Sequence, residues 1–206
     1  MKKKYNYRLA KFFISVPDID QLPNDHGIEI AFLGRSNAGK SSALNAITQQ
    51  KNLAYTSKNP GRTQLITLFE IEKGIRLVDL PGYGYARVSA LIKHQCQTAL
   101  SEYLQKRKCL KGLIISMDIR NPLNNMDIQI ITWAIAKNIP ILVLLTKADK
   151  LVKNKRKTQV IAVNNRLRTM VGNIPVEMFS SFKKIGICKI QLKLDNWLNQ
   201  LHSLNQ

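Results

Sequence analysis

The nine residues from Gly34 to Ser42, Gly-Arg-Ser-Asn-Ala-Gly-Lys-Ser-Ser, have the types and spacing that phosphate chemistry requires. They fit the pattern G-x-x-x-x-G-K-[ST]: Gly34 and Gly39 frame the loop Arg35, Ser36, Asn37, Ala38, and Lys40 and Ser41 close it. Glycine lets the backbone curl until successive N–H groups face one concavity, which is an anion nest. Lys40 is placed to reach β- and γ-phosphates, and the Ser41 hydroxyl to sit on Mg²⁺. A helix that begins here also aims its unpaired N–H groups and positive dipole end at the phosphates. The chemistry is that of a nucleoside triphosphate site.

Two further stretches extend it. Asp79-Leu80-Pro81-Gly82 is a D-x-x-G, a weak signal alone and a strong one downstream of a P-loop. Its carboxylate belongs beside the metal and its glycine beside the γ-phosphate. Thr146-Lys147-Ala148-Asp149 selects the base. A carboxylate accepts hydrogen bonds from guanine N1–H and its exocyclic amine together, and adenine has no such donor pair. A site built on that pairing rejects the wrong base, because Asp149 would be left unpaired. Lys147 is expected to lie across the base, and Ser180-Ser181 to present a backbone N–H to guanine O6.

These residues need elements to carry them. Ile28 to Leu33 is an apolar run that reads as a buried strand, and Ser42 to Ile47 as the helix after the loop. Phe12 to Val16 reads as a strand or arm packed on the domain. Pro60-Gly61 breaks regular structure, which puts Thr63 on a mobile loop. Leu65–Ile71 and Ile75–Leu80, joined at Lys73-Gly74, read as a hairpin. Helices are expected over Ala90–Lys108, Met126–Lys137 and Lys150–Arg168, and in a closing segment through Leu192, Leu194, Trp197 and Leu201. Gly112–Met117, Pro140–Leu145 and Pro175–Phe179 read as strands, the second almost wholly apolar, as a central parallel strand must be. Strands alternating with helices predict an α/β fold: a three-layer, doubly wound, mostly parallel sheet. Residues 1–27 are expected to be an N-terminal extension on a nucleotide-binding domain spanning 28–206.

At 206 residues, with 45% hydrophobic and 22% charged residues, the chain has the composition of a globular domain with a substantial core. No apolar run reaches the length of a membrane span. The first residues are basic but lack the apolar core of a secretory signal. Cys96, Cys109 and Cys188 are scattered, which reads as reduced thiols in a cytosol-like compartment. The charge balance is unusual: 32 basic against 13 acidic residues, net +19. Residues 150–206 alone hold eleven basic and two acidic residues. From Lys150 to Arg168 there are seven basic residues and no acid. Such a face predicts a polyanionic partner, RNA foremost, with solvated lysines and no partner as the bland alternative.

With the motifs in order, the chain resembles the translation-factor-like P-loop GTPases, and more closely the EngB (YihA/YsxC) family. The resemblance rests on Gly34–Ser42, Pro-Gly-Arg-Thr-Gln at residues 60–64, Asp-Leu-Pro-Gly-Tyr-Gly-Tyr-Ala at 79–86, Thr-Lys-Ala-Asp-Lys at 146–150 and Phe-Ser-Ser at 179–181. It runs from about Phe12 to Trp197, and Lys183-Lys184-Ile185-Gly186 matches the family pattern only loosely. It implies a bacterial, cytoplasmic GTPase that assists large ribosomal subunit assembly on rRNA, with depletion disturbing cell division, and a monomer. By that resemblance Gly34 to Ser41, with Ser42 beside them, bind phosphates. Gly61, Arg62, Thr63, Gln64 and Leu65 lie in switch I, and Asp79, Leu80, Pro81 and Gly82 open switch II. Thr146 to Asp149 and Phe179, Ser180 and Ser181 hold the base of GTP or GDP. Ser41 and Thr63 are implied Mg²⁺ ligands, with Asp79 reaching the metal through water. Lys40, Thr63 and Gly82 are the implied catalytic set. In related GTPases of the Era and MnmE type the residue matching Asn37 holds potassium, so K⁺ is a second expected ion, against a plain loop-stabilising role for Asn37.

Where efficient signalling GTPases carry a water-orienting glutamine after D-x-x-G, this chain has Tyr83. A phenol holds an attacking water poorly, so slow intrinsic hydrolysis is expected. An RNA-binding module that uses GTP to fix its shape is the alternative; an ATPase or kinase is disfavoured by Asp149.

Overall fold

Continuous apolar runs become strands covered on both faces, and the three most apolar runs of this chain form the centre of one sheet. The computed structural model describes residues 3–56, 65–84 and 89–203, with side chains as far as Leu201. The expected switch I residues Gly61, Arg62, Thr63 and Gln64 lie outside the described residues. Among the described residues seven strands occur: β1 (Lys11–Val16), β2 (Ile28–Gly34), β3 (Ile66–Glu72), β4 (Ile75–Asp79), β5 (Leu110–Asp118), β6 (Ile141–Thr146) and β7 (Val176–Met178). They lie in one sheet in the order β1-β3-β4-β2-β5-β6-β7. Every residue of β2, β4 and β6 is buried. β2 pairs in parallel with β4 and β5, and β5–β6 and β6–β7 are also parallel. The β3–β4 hairpin and the β1–β3 pair are antiparallel.

Among the described residues five α-helices cover the sheet: α1 (Lys40–Thr48), α2 (Ala90–Lys106), α3 (Asn125–Ala136), α4 (Lys153–Met170) and α5 (Ile187–Ser203). On one face Leu100 and Tyr103 of α2, Ile130 and Ile131 of α3, and Val163 and Leu167 of α4 pack onto the sheet. On the other, Leu44 and Ile47 of α1 meet Leu194 and Leu198 of α5, together with Tyr5 and Tyr7 from the chain start. Each such large apolar side chain contributes about 1.5–3 kcal/mol when fully buried. The result is the three-layer, mostly parallel α/β architecture expected. β1 is the edge strand of this same sheet, through its pairing with β3.

Two of the shifts in helix limits from the sequence reading have a visible cause. α2 stops at Lys106 instead of Lys108, because Arg107 takes an extended backbone and turns its guanidinium inward. It donates to Glu29, Nε to Oε2 at 3.0 Å and Nη2 to Oε1 at 2.7 Å, and Tyr103 adds a third bond at 2.6 Å. α4 starts at Lys153 rather than Lys150, since Ala148–Lys150 forms one 3₁₀ turn and Leu151 is extended. Leu91 of α2 and Leu192 of α5 lie exposed, so both helices pack through a narrower stripe than their composition suggests.

Candidate guanine-nucleotide site

Parallel pairing in register Phe32↔Asp79 brings the ends of β2 and β4 side by side, so the loop after β2 and the carboxylate of Asp79 meet. Gly34, at the end of β2, crosses close to β5: a Cβ there would come 2.3 Å from the Ser116 carbonyl oxygen. Asn37 and Gly39 both take left-handed backbone, φ 63° and 90°, which curls the loop back over the first turn of α1. Gly39 caps α1 with no side-chain hydrogen bond. Uncapped N–H groups at a helix start are the donors an anion uses.

Lys40, on the first turn of α1, is buried, and its ammonium donates to Asp79 Oδ1. The Ser41 hydroxyl donates to Asp79 Oδ2 at 2.8 Å. Three groups that the sequence placed at phosphate and metal therefore converge on one another. A hydroxyl and a carboxylate this close are two hard oxygen donors on neighbouring elements, the donor set Mg²⁺ prefers.

Switch II continues the sheet toward the loop. Leu80 N–H donates to the Phe32 carbonyl at 3.1 Å, Tyr83 N–H to Gly34 at 3.3 Å, and Ser36 N–H to the Tyr83 carbonyl at 2.8 Å. Gly82 lies between these bonds, flat on the P-loop. The Tyr83 side chain does not face the phosphate loop: it is buried, and its hydroxyl donates to Asp127 on α3. Burial, with the neighbouring Asp127 charge, pushes the phenol far above its ordinary value, so it is a donor at all ordinary pH. Burial likewise raises the Asp127 carboxyl, against the hydrogen bonds it accepts.

The base side is assembled from β6 and β7. The Thr146 hydroxyl is shared between the Ala38 carbonyl and, at 3.0 Å, that of Met117, which fastens the P-loop to this edge. Lys147 adopts left-handed backbone, φ 54°, and its ammonium pairs with Asp118 at 3.1 Å. Asp118 also takes both arms of Arg120. Burial alone would raise the Asp118 carboxyl, but Arg120 and Lys147 outweigh it and hold it well below the usual range. Ala148 N–H donates to the Phe179 carbonyl, and Asp149 accepts the Ser180 hydroxyl at 2.5 Å. Ser180 N–H is bonded to the Ile185 carbonyl and so is already engaged within its own turn. The loosely matching Lys183–Gly186 stretch completes a tight turn, closed by the Ser180↔Ile185 pair. Gly186 there has φ 83°, and a Cβ would lie 2.3 Å from the Met178 carbonyl oxygen.

A cavity of about 300 Å³ lies between the P-loop and the start of α3, lined among others by Arg35, Asn37, Asp118, Asn124, Asp127 and Lys147. Asp118 and Asp127 were not singled out from sequence as site residues. Asp118 carried one usable signal, its place at the C-terminal end of a parallel strand, where ligands gather in α/β folds. Asp127 carried none, because only the packing of α3 brings it to Tyr83. Leu65 is exposed at the start of β3.

Fold and site define a P-loop domain with guanine-recognition elements. A profile of the 50S ribosome-binding GTPase family matches residues 29–147. The probable GTP-binding protein EngB of Photorhabdus laumondii is 61% identical over 198 residues, 96% of this chain and 94% of the relative. Its counterpart in Yersinia pestis strain Pestoides F is 59% identical over 199 residues, 97% of this chain and 92% of the relative. The crystal structure of a probable GTP-binding protein engB superposes with a TM-score of 0.68 at 18% identity, over 84% of this chain and 99% of that one. Aquifex aeolicus Era bound to GDP·AlF₄⁻ gives 0.66 at 18%, over 84% and 57%; at such identities these structures speak for the fold alone. The chain belongs to the EngB family of GTP-binding proteins, a GTPase family. Among the described residues, no helix is long and apolar enough to cross a membrane.

Proposed function

We propose that this chain is a slow GTPase that acts as a nucleotide-controlled switch in assembly of the large ribosomal subunit, in the bacterial cytoplasm, and is needed for normal septation. The P-loop N–H groups and Lys40 would grip the phosphates, Gly82 would meet the third phosphate, and Asp149 would read guanine. Ser41, Asp79 and Thr63 would hold Mg²⁺, which when bound neutralises charge on the β- and γ-phosphates. Tyr83, turned into the core toward Asp127, leaves its position without a group to orient water, and this supports the slow rate. The same observation favours the second reading, a GTP-stabilised RNA-binding module. Single-turnover hydrolysis measured with and without subunits separates the two.

The observation that carries the partner is α4. Lys153, Lys155, Lys157, Arg166 and Arg168 stand exposed along it, and among the described residues none of them is ion-paired. Four charges within its first five residues repel one another unless a polyanion neutralises them. The helix follows the base-reading turn directly and lies away from Gly82, so a constant foothold on rRNA would leave switch II free. Changing Lys153, Lys155, Arg156 and Lys157 to Gln should weaken co-sedimentation with large subunits and leave GTP affinity alone. Its salt slope should flatten by up to about 0.7–0.9 log units per lost phosphate contact. Unchanged binding with an unchanged slope would make this face solvated surface.

A further inference from the structure

The residue after Gly82 is held at three points. Two are the backbone bonds of Tyr83 to Gly34 and Ser36, and the third is its hydroxyl on Asp127. Tyr83 is 2% exposed and Asp127 1%. The carboxylate is divided between two tasks. Oδ2 accepts the Asn124 backbone N–H at 3.0 Å and its side-chain amide at 2.7 Å, closing a capping box at the start of α3. Oδ1 takes Tyr83. The acceptor is thus fixed to a helix end before Tyr83 reaches it. Between these anchors Gly82 lies so close to the P-loop that a Cβ would come 3.2–3.3 Å from Ser36 N, Ser36 Cα and the Gly34 oxygen.

We propose that the Tyr83–Asp127 hydrogen bond is a positioning latch that holds Gly82 against the P-loop, ready for the γ-phosphate, and so sets how tightly GTP is held relative to GDP. The proposal rests on the reading of Gly82 as the γ-phosphate contact. With the latch closed, segment 80–84 is ordered before ligand arrives, so binding does not bear that ordering cost. With the latch cut, only a fraction of molecules present Gly82 correctly, and apparent affinity falls by that fraction. GDP has no γ-phosphate to meet Gly82, so its affinity does not depend on that fraction. A Tyr83 that merely filled the core beside Leu100 and Ile130 would instead affect both nucleotides alike.

Tyr83→Phe keeps the ring and removes the hydroxyl; Asp127→Asn keeps the shape and removes the charge. Titration with fluorescent GDP and a fluorescent non-hydrolysable GTP analogue reads the ratio of affinities. Each variant should lose about tenfold in analogue affinity while GDP stays within about twofold, and the double variant should lose no more than either alone. Should Asp127→Asn fail to fold, Tyr83→Phe decides by itself. Equal losses for both nucleotides, or none, overturn the latch. Gly82→Ala is the control on the underlying reading. If it shifts the ratio and Tyr83→Phe does not, the latch is wrong and the switch reading stands. If Gly82→Ala leaves the ratio unchanged, Gly82 does not meet the γ-phosphate and both fall.

Discussion

β2 and β4 carry a buried carboxylate cluster at each end. At the N-terminal end, Glu29 beside Arg76 takes three hydrogen bonds from Tyr103 and Arg107, with Arg76 Nη1 at 3.6 Å. At the C-terminal end, about 10 Å further along the strands, Asp79 takes Lys40 and Ser41. By side-chain chemistry the two are alike, each an acid paired with a cation and a hydroxyl. What separates them is where the cations come from. Arg107 and Tyr103 come from the end of α2 and pin it against the sheet, and Arg107 also donates to the Pro23 carbonyl at 2.8 Å. Lys40 and Ser41 open α1 behind a left-handed loop and an N-terminus with no side-chain cap. A buried ion pair is structural or functional according to the backbone around it.

That contrast can be broken experimentally. Arg107→Ala takes from the buried Glu29 its two-armed partner and leaves Tyr103 and the more distant Arg76, and breaking such a buried pair costs about 3–5 kcal/mol of stability. Chemical denaturation should record that loss, while GTP affinity of the folded variant stays at its original level. A variant that loses nucleotide affinity in step with stability would show the two ends to be coupled.

Asp149→Asn should do the reverse. Removing a charge-assisted pairing with guanine costs about 1.5–3 kcal/mol of binding, roughly ten- to more than a hundredfold in affinity. Xanthosine nucleotides should gain, because the new amide donor suits the xanthine carbonyl. The urea midpoint without nucleotide should hardly move, since the Asp149 carboxylate is only partly buried and is held by the Ser180 hydroxyl. Unchanged GTP affinity in the titration removes Asp149 from the base site.

The smallest effect concerns rate. Asn37 lines the cavity beside the P-loop with two carboxylates, Asp118 and Asp127, in reach of the same space. If Asn37 helps hold potassium there, hydrolysis runs faster in potassium than in sodium, and Asn37→Ala erases the difference. Equal rates in both salts for the unaltered protein return Asn37 to a loop-stabilising role.

The phosphate side was legible because it is local. Gly34, Gly39, Lys40 and Ser41 lie within eight residues, and the backbone torsions their types permit already shape the nest. The order of strands and helices was legible for the same reason: apolar runs such as 141–145 declare a covered central strand wherever the chain later places them. Asp79 and Asp149 could be placed because fixed spacing from a strand end sets where the chain carries them, beside Lys40 and Ser180. No such local rule reaches the partners of Tyr83. From sequence alone its position reads as that of a water-orienting residue, a role a phenol fills poorly; in the structure the side chain is buried and bonded to α3. Its partner Asp127 lies 44 residues on, and only the docking of α3 on the sheet puts them in contact. The Glu29–Arg107 pair, 78 residues apart, is decided in the same way. Short-range stereochemistry determines where a phosphate loop forms. Which buried charges meet depends on how helices pack over the finished sheet, and only the tertiary structure contains that.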